Sequence, residues 1–154
     1  MAATVTERFM QALERLEREH KVGDLVALYA PDARVGNMLD PDSLEGPEGA
    51  RGFWNLYRRT FGEIHSTFEH VLETERGAAL EWVSEGTTPH GLPLRYRGVM
   101  LLEVAGDRIK RSCAYFDSAT LGHQLSRGLQ RAETGEGAQP SESEELPGGW
   151  MPLL

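Results

Sequence analysis

Residues 93–117, PLRYRGVMLLEVAGDRIKRSCAYFD, form two runs of strand-forming side chains joined by Ala105-Gly106-Asp107. That spacing predicts a long β-hairpin, and the other elements must cover its apolar face. In the first strand Leu94, Tyr96, Met100 and Leu102 alternate with Arg95, Arg97, Leu101 and Glu103. In the second, Ile109, Cys113, Tyr115 and Asp117 alternate with Lys110, Ser112 and Phe116. Asp117 is thereby expected to share a face with apolar neighbours at the mouth end of its strand. Desolvating a charged carboxylate is costly, so Asp117 is either near the rim or has a raised pKa suited to proton transfer. It is the candidate catalytic acid/base. The same aspartate, followed by Ser118-Ala119-Thr120-Leu121, also suits a helix N-cap.

Upstream, Thr4 and Glu7 match a capping box, and Val5, Phe9, Leu13 and Leu16 recur at helical spacing to about His20. Asp24 opens a short second helix with Leu25, Leu28 and Tyr29, which Pro31 stops. Residues 33–38 read as a short strand and 39–46 as a polar, turn-rich loop. Pro47 suits the first turn of a third helix, whose Ala50, Phe53, Trp54, Tyr57 and Phe61 make one apolar stripe. From Ile64 the period changes to two. Ile64, Phe68 and Leu72 face one way, with His70 on their side. In the next strand Leu80, Trp82 and Ser84 alternate with Glu81, Val83 and Glu85. From about Arg127 the chain becomes acidic and rich in Gly, Pro, Ser and Glu. This predicts a pocket domain over 1–126 and a disordered tail over 127–154, with an apolar end from Trp150 to Leu154.

The 154 residues, 40% of them hydrophobic, fit one domain with a core and a pocket. With 24 acidic against 16 basic residues, the net charge of −8 argues against nucleic acid. Cys113 is the one cysteine, so neither an intramolecular disulfide nor a cysteine-built metal site is expected. No stretch has the ~20 apolar residues of a membrane span, so a soluble cytoplasmic protein is the expectation. No histidine pair has metal-ligand spacing, and no phosphate loop or dinucleotide fingerprint occurs. Neither metal nor cofactor is expected.

The order of elements, with Tyr115-Phe116-Asp117 closing the last strand and Leu121 and Gln124-Leu125 after it, resembles the SnoaL-like branch of the nuclear-transport-factor-like superfamily over about 6–125. The resemblance implies a cone-shaped α+β barrel, in which three N-terminal helices pack on a curved antiparallel sheet and leave a deep apolar pocket. Its members include polyketide cyclases, ketosteroid isomerases, limonene-type epoxide hydrolases and non-enzymatic binding proteins. Asp117 falls where cyclases and epoxide hydrolases carry their acid/base aspartate, and Asn37-Met38 looks like the hydrolases' Asn-Met. The hydrolases' arginine and second aspartate fall on Trp82 and Ser84, and their first-strand tyrosine on Val35. The isomerases' general base falls on Asn37, which disfavours a steroid isomerase of the usual kind.

These readings give a cofactor-independent isomerase or cyclase acting on an apolar polyketide- or terpenoid-like molecule. Asp117 is its acid/base, Asn37 and Tyr96 are polar helpers, and Trp54, Trp82, Ser84, Leu94, Met100, Tyr115 and His70 are substrate contacts. Epoxide hydrolysis or epoxide-opening cyclisation is the second expectation, and a non-catalytic binding or assembly protein the third. A homodimer through the open sheet face is expected in each case.

Overall fold

The computed structural model describes residues 3–135. Helix α1 (Val5–Glu19) begins where Thr4 Oγ1 accepts the Glu7 amide at 3.1 Å, and ends at His20 in the left-handed region at φ 60°. A short α2 (Gly23–Val26) leads into β1 (Tyr29–Asn37) and β2 (Asp40–Glu45). Next come α3 (Gly46–Arg59) and four long strands, β3 (Ile64–Thr74), β4 (Gly77–Thr87), β5 (Pro93–Ala105) and β6 (Arg108–Phe116). The described chain closes with α4 (Ser118–Gly135). The apolar stripes of α1 and α3 lie on one face of the sheet, and Phe9, Leu16, Phe53 and Leu80 are among its most deeply buried side chains. This is an α+β architecture, with helices packed on a curved, unclosed sheet.

Several expectations need correction. The six strands run β2-β1-β6-β5-β4-β3, and β1 pairs with β6 in parallel, so the sheet is mixed rather than wholly antiparallel. Strand β1 starts at Tyr29 in spite of Pro31, because its pairing with β6 is interrupted between Tyr29 and Arg34 and the missing N–H breaks no ladder there. The stretch read as a loop over 39–46 contains β2, paired through Arg34–Glu45 and Val35–Leu44. As a polar edge strand it carries no apolar alternation to announce it. The short turn expected after Asp117 is an eighteen-residue helix. Leu121 and Leu125 bury its inner face, and Gln124 donates to the Arg95 carbonyl and accepts from the Arg95 amide, both at 2.8 Å. This helix continues past Arg127, where the tail was expected to begin; residues 136–154, Trp150 included, lie outside the described residues. Among the described residues no helix is long and apolar enough to cross a membrane.

The register of the central strands places the inward side chains in cross-strand rows. Ser66, Ser84 and Tyr96 form one row over β3, β4 and β5. Phe68, Trp82, Gly98 and Phe116 form the next, over all four long strands. Helices α1 and α3 lie over these rows, and a narrow space remains between the two layers.

Candidate functional site

That space is a chamber of about 30 Å³, room for one or two waters. Phe9 and Leu13 of α1, and Phe53, Trp54 and Tyr57 of α3, form its helical wall. Ser66 and Tyr96 of the first row and Phe68, Trp82 and Phe116 of the second form the floor together with Met100 and Ala114. Phe68, Phe116 and Ser66 are only half-buried, which puts the mouth on their side. The rings meet edge-on: Trp54 lies 5.8 Å from Phe9, 5.0 Å from Phe53 and 5.4 Å from Tyr57.

One carboxylate stands directly behind this lining. Glu17 is 3% exposed. Its Oε1 accepts the Ser66 amide at 2.8 Å, and its Oε2 accepts the hydroxyls of Ser66 and Tyr57, each at 2.6 Å. Ser66 Oγ continues to Ser84 Oγ at 2.7 Å, and Ser84 faces Tyr96 across the sheet. Burial pushes the Glu17 pKa above the ordinary 4.5, against the lowering effect of the Ser66 and Tyr57 hydrogen bonds. Burial, with Glu17 nearby, also raises the pKa of Tyr57 and Tyr96. Both phenols are therefore held protonated at neutral pH. Tyr57, Tyr96 and Ser66 thus line an otherwise apolar chamber, and the Tyr57 and Ser66 hydroxyls are bonded to one carboxyl group behind it, an arrangement able to move a proton.

Sequence reasoning missed Glu17 and Ser66, though both left a signal. Val5, Phe9 and Leu13 step by four along the apolar face of α1, and Glu17 is the next step. Ser66 lies between Ile64 and Phe68 in the inward alternation of β3.

Of the expected site residues, Trp54, Trp82, Tyr96 and Met100 line the chamber, and Ser84 belongs to the hydroxyl chain behind it. Asp117 does not reach it. The inward face of β6 is that of Ser112, Ala114 and Phe116, so Asp117 falls on the exposed side. Its Oδ2 accepts Thr120 Oγ1 at 2.6 Å and its Oδ1 the Thr120 amide at 3.0 Å. Those bonds, the side-chain one foremost, lower its pKa from 3.8 instead of raising it. Asp117 is the N-cap of α4. Replacing it with alanine is expected to fray α4, visible in far-UV circular dichroism, while ligand binding in the chamber is unchanged; lost binding with α4 intact would contradict the cap.

The remaining expected residues are also placed elsewhere. Asn37 is fully buried, but its Oδ1 accepts the Leu39 amide at 2.9 Å and the Asp40 amide at 3.4 Å, holding the β1–β2 turn. Leu94 is buried in the core beyond the lining, and Tyr115 is 40% exposed on the opposite face. His70 is at the surface, with Nδ1 2.7 Å from Glu81 Oε1. A register shift between Phe68 and His70 takes it off the chamber face. Among the described residues no group of three or more His, Cys, Asp or Glu is placed to hold a metal ion.

The SnoaL-like domain family matches residues 6–112, a span that includes Glu17, Tyr57, Ser66 and Tyr96 and ends before Asp117. A Catenulispora acidiphila protein with a ketosteroid isomerase-like fold, solved in complex with trimethylamine, superposes with a TM-score of 0.67 at 16% identity, over 82% of this chain and 95% of that one. A putative isomerase from Rhodopseudomonas palustris superposes with a TM-score of 0.70 at 13% identity, over 82% and 99%. TerC, co-crystallized with polyporic acid, gives 0.69 at 12% identity, over 80% and 99%. At these identities the likeness is one of fold. Among curated proteins none matches the chain in sequence.

Proposed function

This chain belongs to the SnoaL-like family, and on that premise we propose that it is a cofactor-independent acid/base isomerase or cyclase acting on an apolar, polyketide- or terpenoid-like carbonyl compound. The observation that carries the reading is Glu17, a buried carboxyl group with a raised pKa, hydrogen-bonded through Tyr57 and Ser66 to an otherwise apolar chamber. TerC, of similar fold and co-crystallized with polyporic acid, supports an organic ligand in a chamber of this fold.

In the proposed reaction the Tyr96 hydroxyl donates to the substrate's carbonyl oxygen as charge develops there, while the Tyr57 hydroxyl stays on Glu17 Oε2 and holds the carboxyl group in place. The proton leaving carbon passes through the Ser66 hydroxyl to the Glu17 carboxylate, and returns from Glu17 to a second carbon or to oxygen. No atom is added or lost, which suits tautomerisation, allylic isomerisation and aldol closure. Epoxide opening has less support, because the Asn37 carboxamide expected to hold water lies outside the lining and its Oδ1 is engaged by the backbone. The test is exchange of the α-protons of a conjugated cyclic ketone in heavy water, comparing the natural chain with Glu17→Gln. Exchange at equal rates would overturn the reading.

The small chamber favours a second reading, a binding or assembly protein that performs no chemistry. Exchange no faster than in buffer, with tight binding of the same ketone, is its expected result.

A homodimer through the outer sheet face belongs to either reading. Leu72, Ala79 and Leu101 form a cross-strand row there, and Leu72 is 73% exposed. Sedimentation at micromolar concentration should give a dimer, which Leu72→Lys dissociates. A natural chain that sediments as a monomer would refute it.

A further inference from the structure

We infer that Trp82, lying against Gly98, sets the size of the ligand. The inference rests on the chamber being the ligand site, as proposed above. Trp82 occupies the middle of the row that runs from Phe68 to Phe116, and both of those rings stand at the mouth. A Cβ on Gly98 would lie 2.6 Å from Cζ2 and Cη2 of the indole and 2.5 Å from the Tyr115 carbonyl oxygen. The φ of Gly98 is not in the left-handed region, so close approach, and not a turn, is what calls for glycine here. Its missing side chain leaves the notch into which the indole sinks. Tyr96 then holds the ring edge-on at 6.2 Å, while itself stacked on Phe61 at 5.9 Å. Trp82 is a fixed wall.

The size of the chamber makes that wall decisive. A dry apolar cavity of about 150 Å³ accepts one benzene ring, whereas this chamber has about 30 Å³. One ring can enter when the half-exposed Phe68 and Phe116 swing outward. A second fused ring needs the volume that the indole fills.

The test titrates the full-length chain with phenol and with naphthol by calorimetry, in the natural protein and in Trp82→Leu. The leucine variant should bind naphthol about 10-fold or more tightly than the natural protein, since pocket fit discriminates by factors of that order, while phenol binding changes much less. Trp82→Phe should shift in the same direction to a smaller extent, and decides the matter if the leucine variant does not fold. Naphthol bound no more tightly by the folded variant than by the natural protein, or by neither, overturns the inference. Repeating the titrations in a Glu17→Gln background separates the two ideas. A naphthol gain that persists while proton exchange is indifferent to Glu17 would sink the acid/base reading alone, and Glu17-dependent exchange without a naphthol gain would sink the role of Trp82 alone.

Discussion

Glu17→Gln is expected to slow proton exchange on a bound ketone by about 10²–10⁴-fold, the usual contribution of a positioned acid or base, and to stabilise the fold at neutral pH. Both effects have one origin. Glutamine keeps the shape of the side chain and an acceptor for the Ser66 amide, and its carboxamide can still bond the Ser66 and Tyr57 hydroxyls, but it cannot take a proton. The sign of the stability effect follows from the pKa. The folded protein holds the Glu17 proton more tightly than the unfolded chain does, because burial raises the pKa above 4.5. The stability this group contributes is therefore fully present below 4.5 and is lost as pH rises through the higher folded value. The natural protein carries that penalty at neutral pH and the glutamine variant does not. Urea denaturation of both across this range should show a difference that grows from acid to neutral pH. A carboxylate that costs stability in place is a feature expected of a functional site.

Arg58→Met is expected to cost about 3 kcal/mol, the scale for removing one partner from a buried, charged hydrogen-bond network. Arg58 is 7% exposed. Its Nε donates to the Glu17 carbonyl at 3.1 Å, Nη1 to the carbonyls of Phe61 and Gly62 at 3.3 and 3.2 Å, and Nη2 to Gly62 at 3.2 Å and to His20 Nε2 at 2.9 Å. One guanidinium thus ties the last turn of α1 to the end of α3 and the segment that follows it. Methionine keeps the length of the stem but leaves the carbonyls of buried Glu17 and Phe61 to find other donors. Because Glu17 is on that last turn, the variant should also weaken ligand binding in the chamber. A change in unfolding free energy below about 0.5 kcal/mol, the range of ordinary surface substitutions, would show that the network carries no weight.

The hairpin over 93–117, the helical stripes and the inward set of β5 were legible because each follows a plain period over many residues. What was not legible depends on non-local register. The bulge after Phe68 moves His70 from the chamber side to the surface, and no local signal marks it. Continuing the Ile109, Cys113, Tyr115 series carries Asp117 inward, but a register shift between Ile109 and Arg111 changes the phase of β6, so that Ile109 is in the core and Ser112, Ala114 and Phe116 follow it inward. Both candidate faces of β6 carry apolar residues, so composition does not choose between them. Glu17 was overlooked for the opposite reason. The i+4 series that ends on it was visible, but a glutamate near a helix end reads as solvated until three hydrogen bonds from α3 and β3 are seen to close around it.

The central claim is that Glu17 is the proton carrier of the chamber. Its most direct test is a carbon-13 NMR titration of the Glu17 carboxyl group in the natural protein, free and saturated with phenol. The predicted result is a pKa above the ordinary 4.5 that moves again when phenol occupies the chamber. A carboxyl group that titrates at or below 4.5, and is indifferent to phenol, would contradict it.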